Sequence, residues 1–205
     1  MRRTVLALSA AALAFAGAAA AAPAASADLN CDLCLPYGGV VASPSPSGTS
    51  MTTFRMDYDA WRAMSRAGVG FYGGSPAGGT LVSLGRPAME MPVKAFMGGV
   101  ATHDGDLTFL RADSMYFRTV VLDNVTFDFN KKKVTARVYA SDTDLGKKTL
   151  FSLTHVKVDS GMYNFTLKLT ADGAATLDSS LNVTVFSAGQ RVAAGMTMSM
   201  PMSGS

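Results

Sequence analysis

From Met51 onward, apolar and polar residues alternate with a period of two, the spacing of an extended strand with one buried face. Val125, Phe127 and Phe129 alternate with Thr126 and Asp128. Asn130-Lys131-Lys132 then reads as a turn, and Val134, Ala136 and Val138 alternate with Thr135 and Arg137 on the return, so this stretch predicts a β-hairpin. Further strands are predicted at Thr80 to Leu84, Val93 to Thr102, Leu107 to Leu110, Met115 to Leu122, Thr149 to Leu153, Met162 to Leu169 and Val192 to Met200. Phe165, Leu167 and Leu169 share one face, and Thr166 and Lys168 the other.

Two segments break the alternation and predict short helices. Tyr58 to Arg66 contains the single tryptophan, Trp61. In Ala171 to Leu181, Thr170 is placed to cap the N-terminus, and Ala174, Leu177 and Leu181 fall at spacings of three and four that form one apolar stripe. Gly173 costs this helix about 1 kcal/mol relative to Ala, so it must rely on packing against a sheet. Short strands joined by Gly, Asp and Asn turns predict an all-β fold: an antiparallel β-sandwich or barrel-like domain with one or two short helices, in which Phe127, Val134 and Leu167 meet in one dry layer.

The N-terminal region has a different pattern. Arg2 and Arg3 precede an apolar run from Val5 to Ala22, and Ala25-Ser26-Ala27 follows, which is the layout of a cleavable secretory signal over residues 1–27. Residues 28–50 are punctuated by Pro36, Gly38, Gly39, Pro44 and Pro46 and predict an extended arm; the β domain then occupies 51–205. Past the signal no window reaches the ~20 apolar residues of a spanning helix, so the expectation is a secreted, extracellular protein without membrane insertion. The formal net charge is +3, and Arg2 and Arg3 of the signal supply two of those charges, which leaves no electrostatic reason to expect nucleic acid as a partner.

Candidate chemistry is sparse. Cys31 and Cys34 form a C-x-x-C pair in an oxidising compartment, read as a local disulfide; a redox pair or half of a zinc site are the alternatives. The two histidines, His103 in Thr-His-Asp-Gly-Asp and His155, stand near no Gly-x-Ser-x-Gly elbow and no His-Glu-x-x-His helix, so no enzyme is predicted. Met196, Met198, Met200 and Met202 recur every second residue, which would put four thioethers on one face of a strand. Soft thioethers favour Cu(I), and the alternative is that they fill a core face or lie in a frayed tail. Asn124, Asn164 and Asn182 each begin an Asn-x-Thr triplet, an acceptor pattern that carries meaning only in a glycosylating host.

Two stretches resemble the HtaA-like domain family of secreted or surface-displayed β-rich modules, whose better-known members bind haem. The first is Val93-Lys-Ala-Phe-Met-Gly-Gly-Val-Ala-Thr-His-Asp-Gly-Asp-Leu107, similar to the family's strand, His-x-Gly turn and following strand. The second is Leu169-Thr-Ala-Asp-Gly-Ala-Ala175 with Phe186-Ser-Ala-Gly189, which looks like its late helix and closing strand. The resemblance implies haem as a cofactor, with His103 at the family histidine and Tyr58 as the candidate N-terminal tyrosine; a phenolate can ligate ferric iron. At the closing segment, where haem-binding members tend to carry tyrosine, this chain has Phe186, which has no oxygen to offer. The expected function is therefore an exported non-catalytic binding module of the cell envelope or extracellular space. Its ligand is haem, or copper through the methionine face, or its role is purely structural. The partner is a small ligand or an envelope component.

Overall fold

The computed structural model describes residues 50–74, 78–83, 86–112 and 116–198. The predicted signal, the arm up to residue 49 with Cys31 and Cys34, and the end of the chain with Met200 and Met202 lie outside the described residues. In chain order the elements are β1 (Met51–Met56), α1 (Tyr58–Arg66), β2 (Val69–Gly73), β3 (Gly78–Ser83), β4 (Arg86–Met97), β5 (Val100–His103) and β6 (Leu107–Ala112). They continue with β7 (Phe117–Asp128), β8 (Lys133–Ala140), β9 (Thr143–Asp159), β10 (Met162–Leu169), α2 (Ala171–Leu181) and β11 (Arg191–Met198).

Of the two all-β arrangements open to the sequence, the barrel is the one formed. The strands run β7-β5-β4-β1-β11-β10-β9-β8, each antiparallel to its neighbours, and β8 pairs back onto β7 to close an eight-stranded ring. Closure gives each of these eight strands a partner on both sides, and β2 and β3 lie outside the ring. Where β5 pairs only with Thr126 to Asp128 of β7, β6 takes up Phe117 to Leu122 of the same strand and carries β2 on its other side. The wall therefore widens at that end, and Phe71 and Phe109 line it there.

Two predicted strand boundaries are corrected. The run from Val93 to Thr102 is a hairpin and not one strand, because Gly98 and Gly99 take positive φ values of 55° and 77° and turn β4 into β5. Conversely, Met115 to Leu122 and Val125 to Phe129 belong mostly to one strand, β7, which passes through a bulge at Asn124. The bulge shifts the alternation by one residue, so that Leu122 and Val125 both reach the interior.

Phe127, Val134 and Leu167 are all buried and face one another across the interior, as the alternation predicts. Around them Phe127 and Phe165 sit with ring centroids 5.3 Å apart, and Phe54, Phe71 and Phe109 form a second chain at 6.3 and 4.8 Å. Each buried Phe is worth roughly 1.5–3 kcal/mol relative to an exposed one. β11 accommodates this bulk by being small on its inner face, with Ala193 and Gly195. Gly195 lies between Phe54 and Phe165 in register, and a Cβ there would collide with the Thr53 carbonyl and the Phe54 side chain.

Both predicted helices form over the predicted residues. Asp57 caps α1, its carboxylate accepting from the Asp59 N–H at 3.1 Å, and Ala60, Trp61 and Met64 are buried. Thr170 caps α2, accepting from the Gly173 N–H at 2.9 Å while its hydroxyl donates to the Thr149 carbonyl at 2.8 Å. Ala174, Leu177 and Leu181 form the buried stripe of α2, which packs on β7 and β9. At its far end Arg111 of β6 donates to the Leu181 carbonyl at 3.0 Å and also to that of Asn182, placing a cation where the helix dipole is negative. Among the described residues no helix is long and apolar enough to cross a membrane.

Candidate functional site

His103 is the last residue of β5, in register with Val93 of β4. Ala101, two residues earlier, points into the barrel, and strand geometry carries His103 to the same side, where it is only 4% exposed. Its Nδ1 lies 3.0 Å from the Val125 carbonyl and its Nε2 lies 2.6 Å from Thr52 Oγ1. Thr52 Oγ1 is in turn 2.6 Å from Thr197 Oγ1.

These contacts assign the protons. A carbonyl only accepts, so Nδ1 carries the hydrogen and donates it to Val125; Nε2 is then the acceptor for the Thr52 hydroxyl, which leaves Thr52 to accept from Thr197. Thr197, Thr52, His103 and Val125 thus form a one-directional relay across β11, β1, β5 and β7. Burial pushes the His103 pKa down from 6.5 to about 4, against smaller opposing effects of the Val125 carbonyl and Asp104, so the ring is neutral at pH 7. The Phe127 ring packs against it at a 63° interplanar angle, with centroids 5.0 Å apart. Neither nitrogen of the imidazole is left free for a ligand or a metal.

Tyr58 opens α1 and is 53% exposed. Thr52, the residue that touches His103, lies four positions before Met56, roughly 13 Å along β1 at ~3.3 Å per residue, and α1 begins beyond that end. The structure therefore does not bring Tyr58 and His103 into one site: one faces solvent, the other is sealed inside the barrel. Phe186 is also interior, edge-on to Phe109 with centroids 6.1 Å apart. His155 is exposed on β9.

Met196 and Met198 lie on the outer face of β11, at 39% and 37% exposure, and so do not fill a core face. Thr197 between them points inward to the relay. Sequence reading missed Thr52 and Thr197 as partners of His103. The period-two pattern does put Thr52 opposite in facing to Met51 and Thr53, but nothing local announces a pairing across 145 residues. Among the described residues no three His, Cys, Asp or Glu side chains cluster to hold a metal ion.

No family model matches the sequence, and no curated protein matches it. Among solved structures, the N-terminal domain of HtaA from Corynebacterium glutamicum superposes with a TM-score of 0.50 at 14% identity, over 76% of this chain and 100% of that domain. The chain has the HtaA-like fold. The C-terminal domain of the same HtaA gives 0.48 at 11% identity, covering 73% of this chain and 96% of that one. The haem-binding protein HtaB of the same organism gives 0.49 at 14% identity, covering 73% and 92%. In the HtaA-like fold of this chain, the inward end of β5 is occupied by the hydrogen-bonded His103, and the opposite side of β11 by outward methionines.

Proposed function

We propose that the chain is an exported, non-catalytic binding module that takes a small ligand on its outer surface, in the cell envelope or extracellular space. The observation that carries this reading is the filled interior. The cavity among Phe54, Phe71, Phe109, Phe127 and Leu167 has a volume of about 20 Å³ and a wholly apolar lining. That is roughly the room of one water molecule, whereas pockets for drug-sized ligands run to about 300–1,000 Å³. A ligand must then meet the barrel from outside, where Tyr58, Tyr72, Met97, Tyr116 and Phe117 are exposed. The sealed relay supports the non-catalytic part of the reading, because general acid–base work needs a group within reach of substrate.

Haem is the ligand that the sequence resemblance nominates, and the two candidate donors differ in their fit to it. Tyr58 is exposed on α1, with its phenol available as an oxygen donor to ferric iron. His103 does not fit as an axial ligand, since Thr52 occupies Nε2 and Val125 holds Nδ1. Haem in this chain is accordingly a surface ligand held through Tyr58. A titration of the mature protein with hemin, followed at the Soret band, tests this: a shift that disappears in Tyr58→Phe is the expected result. An unshifted band in the wild type, or a shift that Tyr58→Phe leaves unchanged, overturns the haem reading.

A further inference from the structure

The relay uses Thr197, and its two neighbours on β11 remain unaccounted for by the fold. Across the sheet, Met198 meets another methionine, whereas Met196 stands between polar residues. Met198 is in register with Met162 on β10. On the other side, Thr52 faces Thr197, the last pair of that ladder, and continuing its register by one residue brings Met51 of β1 toward Met198. Met196 stands two residues away on the same face, beside Thr53 and Asn164. The face is fixed independently by the interior: Thr52 and Thr197 point inward to His103, so Met51, Met196 and Met198 point outward. Met51 is 8% exposed, Met162 is half-buried, and Met196 and Met198 are open to solvent.

We propose that this outer face of β1, β11 and β10 is a Cu(I) site built from the thioethers of Met51, Met162, Met196 and Met198. Directly paired positions on adjacent strands hold Cβ atoms roughly 4.5–5.5 Å apart, and diagonal ones about 7–8 Å. Met is unbranched, with three rotatable bonds, so its sulfur can swing across such spacings without backbone movement. Three sulfurs from neighbouring strands can therefore converge on one ion, with the fourth in diagonal reach. Asp159, in register with Met162, places a carboxylate at the rim to balance the cation. Thioether sulfur is a soft ligand that selects Cu(I) and gives little to Mg²⁺, Ca²⁺ or Zn²⁺. This site is independent of the haem reading, since it shares neither Tyr58 nor His103.

Cu(I) competition against a chromogenic chelator, under anaerobic conditions and in a Cys31→Ser/Cys34→Ser background that removes thiolate competition, gives the test. The background protein is expected to take up a single Cu(I). Met162→Leu/Met198→Leu is expected to weaken binding by roughly tenfold or more, about 1.4 kcal/mol per decade. Met200→Leu/Met202→Leu is expected to leave it within about twofold. No uptake, or full retention in Met162→Leu/Met198→Leu, overturns the proposal, as does a loss confined to the Met200/Met202 pair. A readout that needs no variant is the methionine methyl NMR spectrum during titration with Ag(I), a redox-inert analogue. Shifts concentrated at Met51, Met162, Met196 and Met198 support the site. Shifts only at other methionines, or none, contradict it.

Discussion

The two faces of the end of β11 invert the usual order of a barrel wall. Inside, where β strands present apolar side chains, Thr197 presents a hydroxyl; outside, where polar side chains are normal, Met196 and Met198 present thioethers. The inner inversion is explained by the fold itself. Burying an unpartnered hydroxyl or imidazole costs about 1–3 kcal/mol, and here Thr197, Thr52 and His103 each have a partner, ending on the Val125 carbonyl. The outer inversion has no such internal account, because exposed thioethers contribute little to holding the strands together. One face of the strand thus serves folding, and the other is available for recognition.

That contrast predicts effects of very different size. The largest belongs to the apolar wall behind the relay: Phe127→Ala should lower stability by about 3–5 kcal/mol in chemical denaturation, since Phe127 packs on both His103 and Phe165. A loss below 1 kcal/mol would mean that the interior is not packed as described. Thr52→Val removes the middle of the relay and strands both the Thr197 hydroxyl and His103 Nε2, for roughly 1–3 kcal/mol. The triple change Thr52→Val, His103→Leu, Thr197→Val should recover much of that, because no polar group is then left unpaired; a triple variant less stable than the single one would break the relay account. On the outer face, Met196→Leu/Met198→Leu should stay within about 0.5 kcal/mol of wild type. A larger loss would show that these side chains support the fold after all.

Much of this was legible from the chain. The hairpin of β7 and β8 and both helices follow from spacing alone, because each buries one regular face against a neighbour. Irregular positions were not legible. A bulge at Asn124 and a two-glycine turn at Gly98-Gly99 each change which face a residue occupies, and period-two counting has no way to register an extra residue. Gly173 shows the same limit in energetic form. By helix propensity Gly173→Ala should stabilise α2, yet a Cβ there would strike the Leu150 carbonyl, against which the helix packs. Gly173→Ala is therefore expected to destabilise the protein by about 1–3 kcal/mol, readable as a lower thermal midpoint.

The candidate site was legible only in pieces. His103 was visible as a residue next to turn chemistry, and the Asp-Gly-Asp that follows does leave the strand there. Its burial depends on Thr52 and Thr197, which belong to strands far away in sequence and adjacent only in the closed barrel. The methionine pattern near the C-terminus was visible as well. What the sequence could not reveal is that Met162 comes alongside Met198, and that β1 pairs with β11 up to Thr52, the residue next to Met51, since cross-strand neighbours are set by topology and register.

The central claim is that His103 is a neutral, interior residue of the fold, and its own titration tests this most directly. With a folded pKa near 4 against 6.5 for a solvated imidazole, the unfolded chain takes up a proton that the native state refuses. Stability should therefore be complete above about pH 6.5 and fall by on the order of 3 kcal/mol as the pH drops toward 4. Nitrogen-15 NMR of the imidazole should find the hydrogen on Nδ1, a neutral ring throughout the neutral range, and a midpoint near 4. A midpoint close to 6.5, or a hydrogen on Nε2, would contradict the relay and with it the assignment of the inner and outer faces of β11.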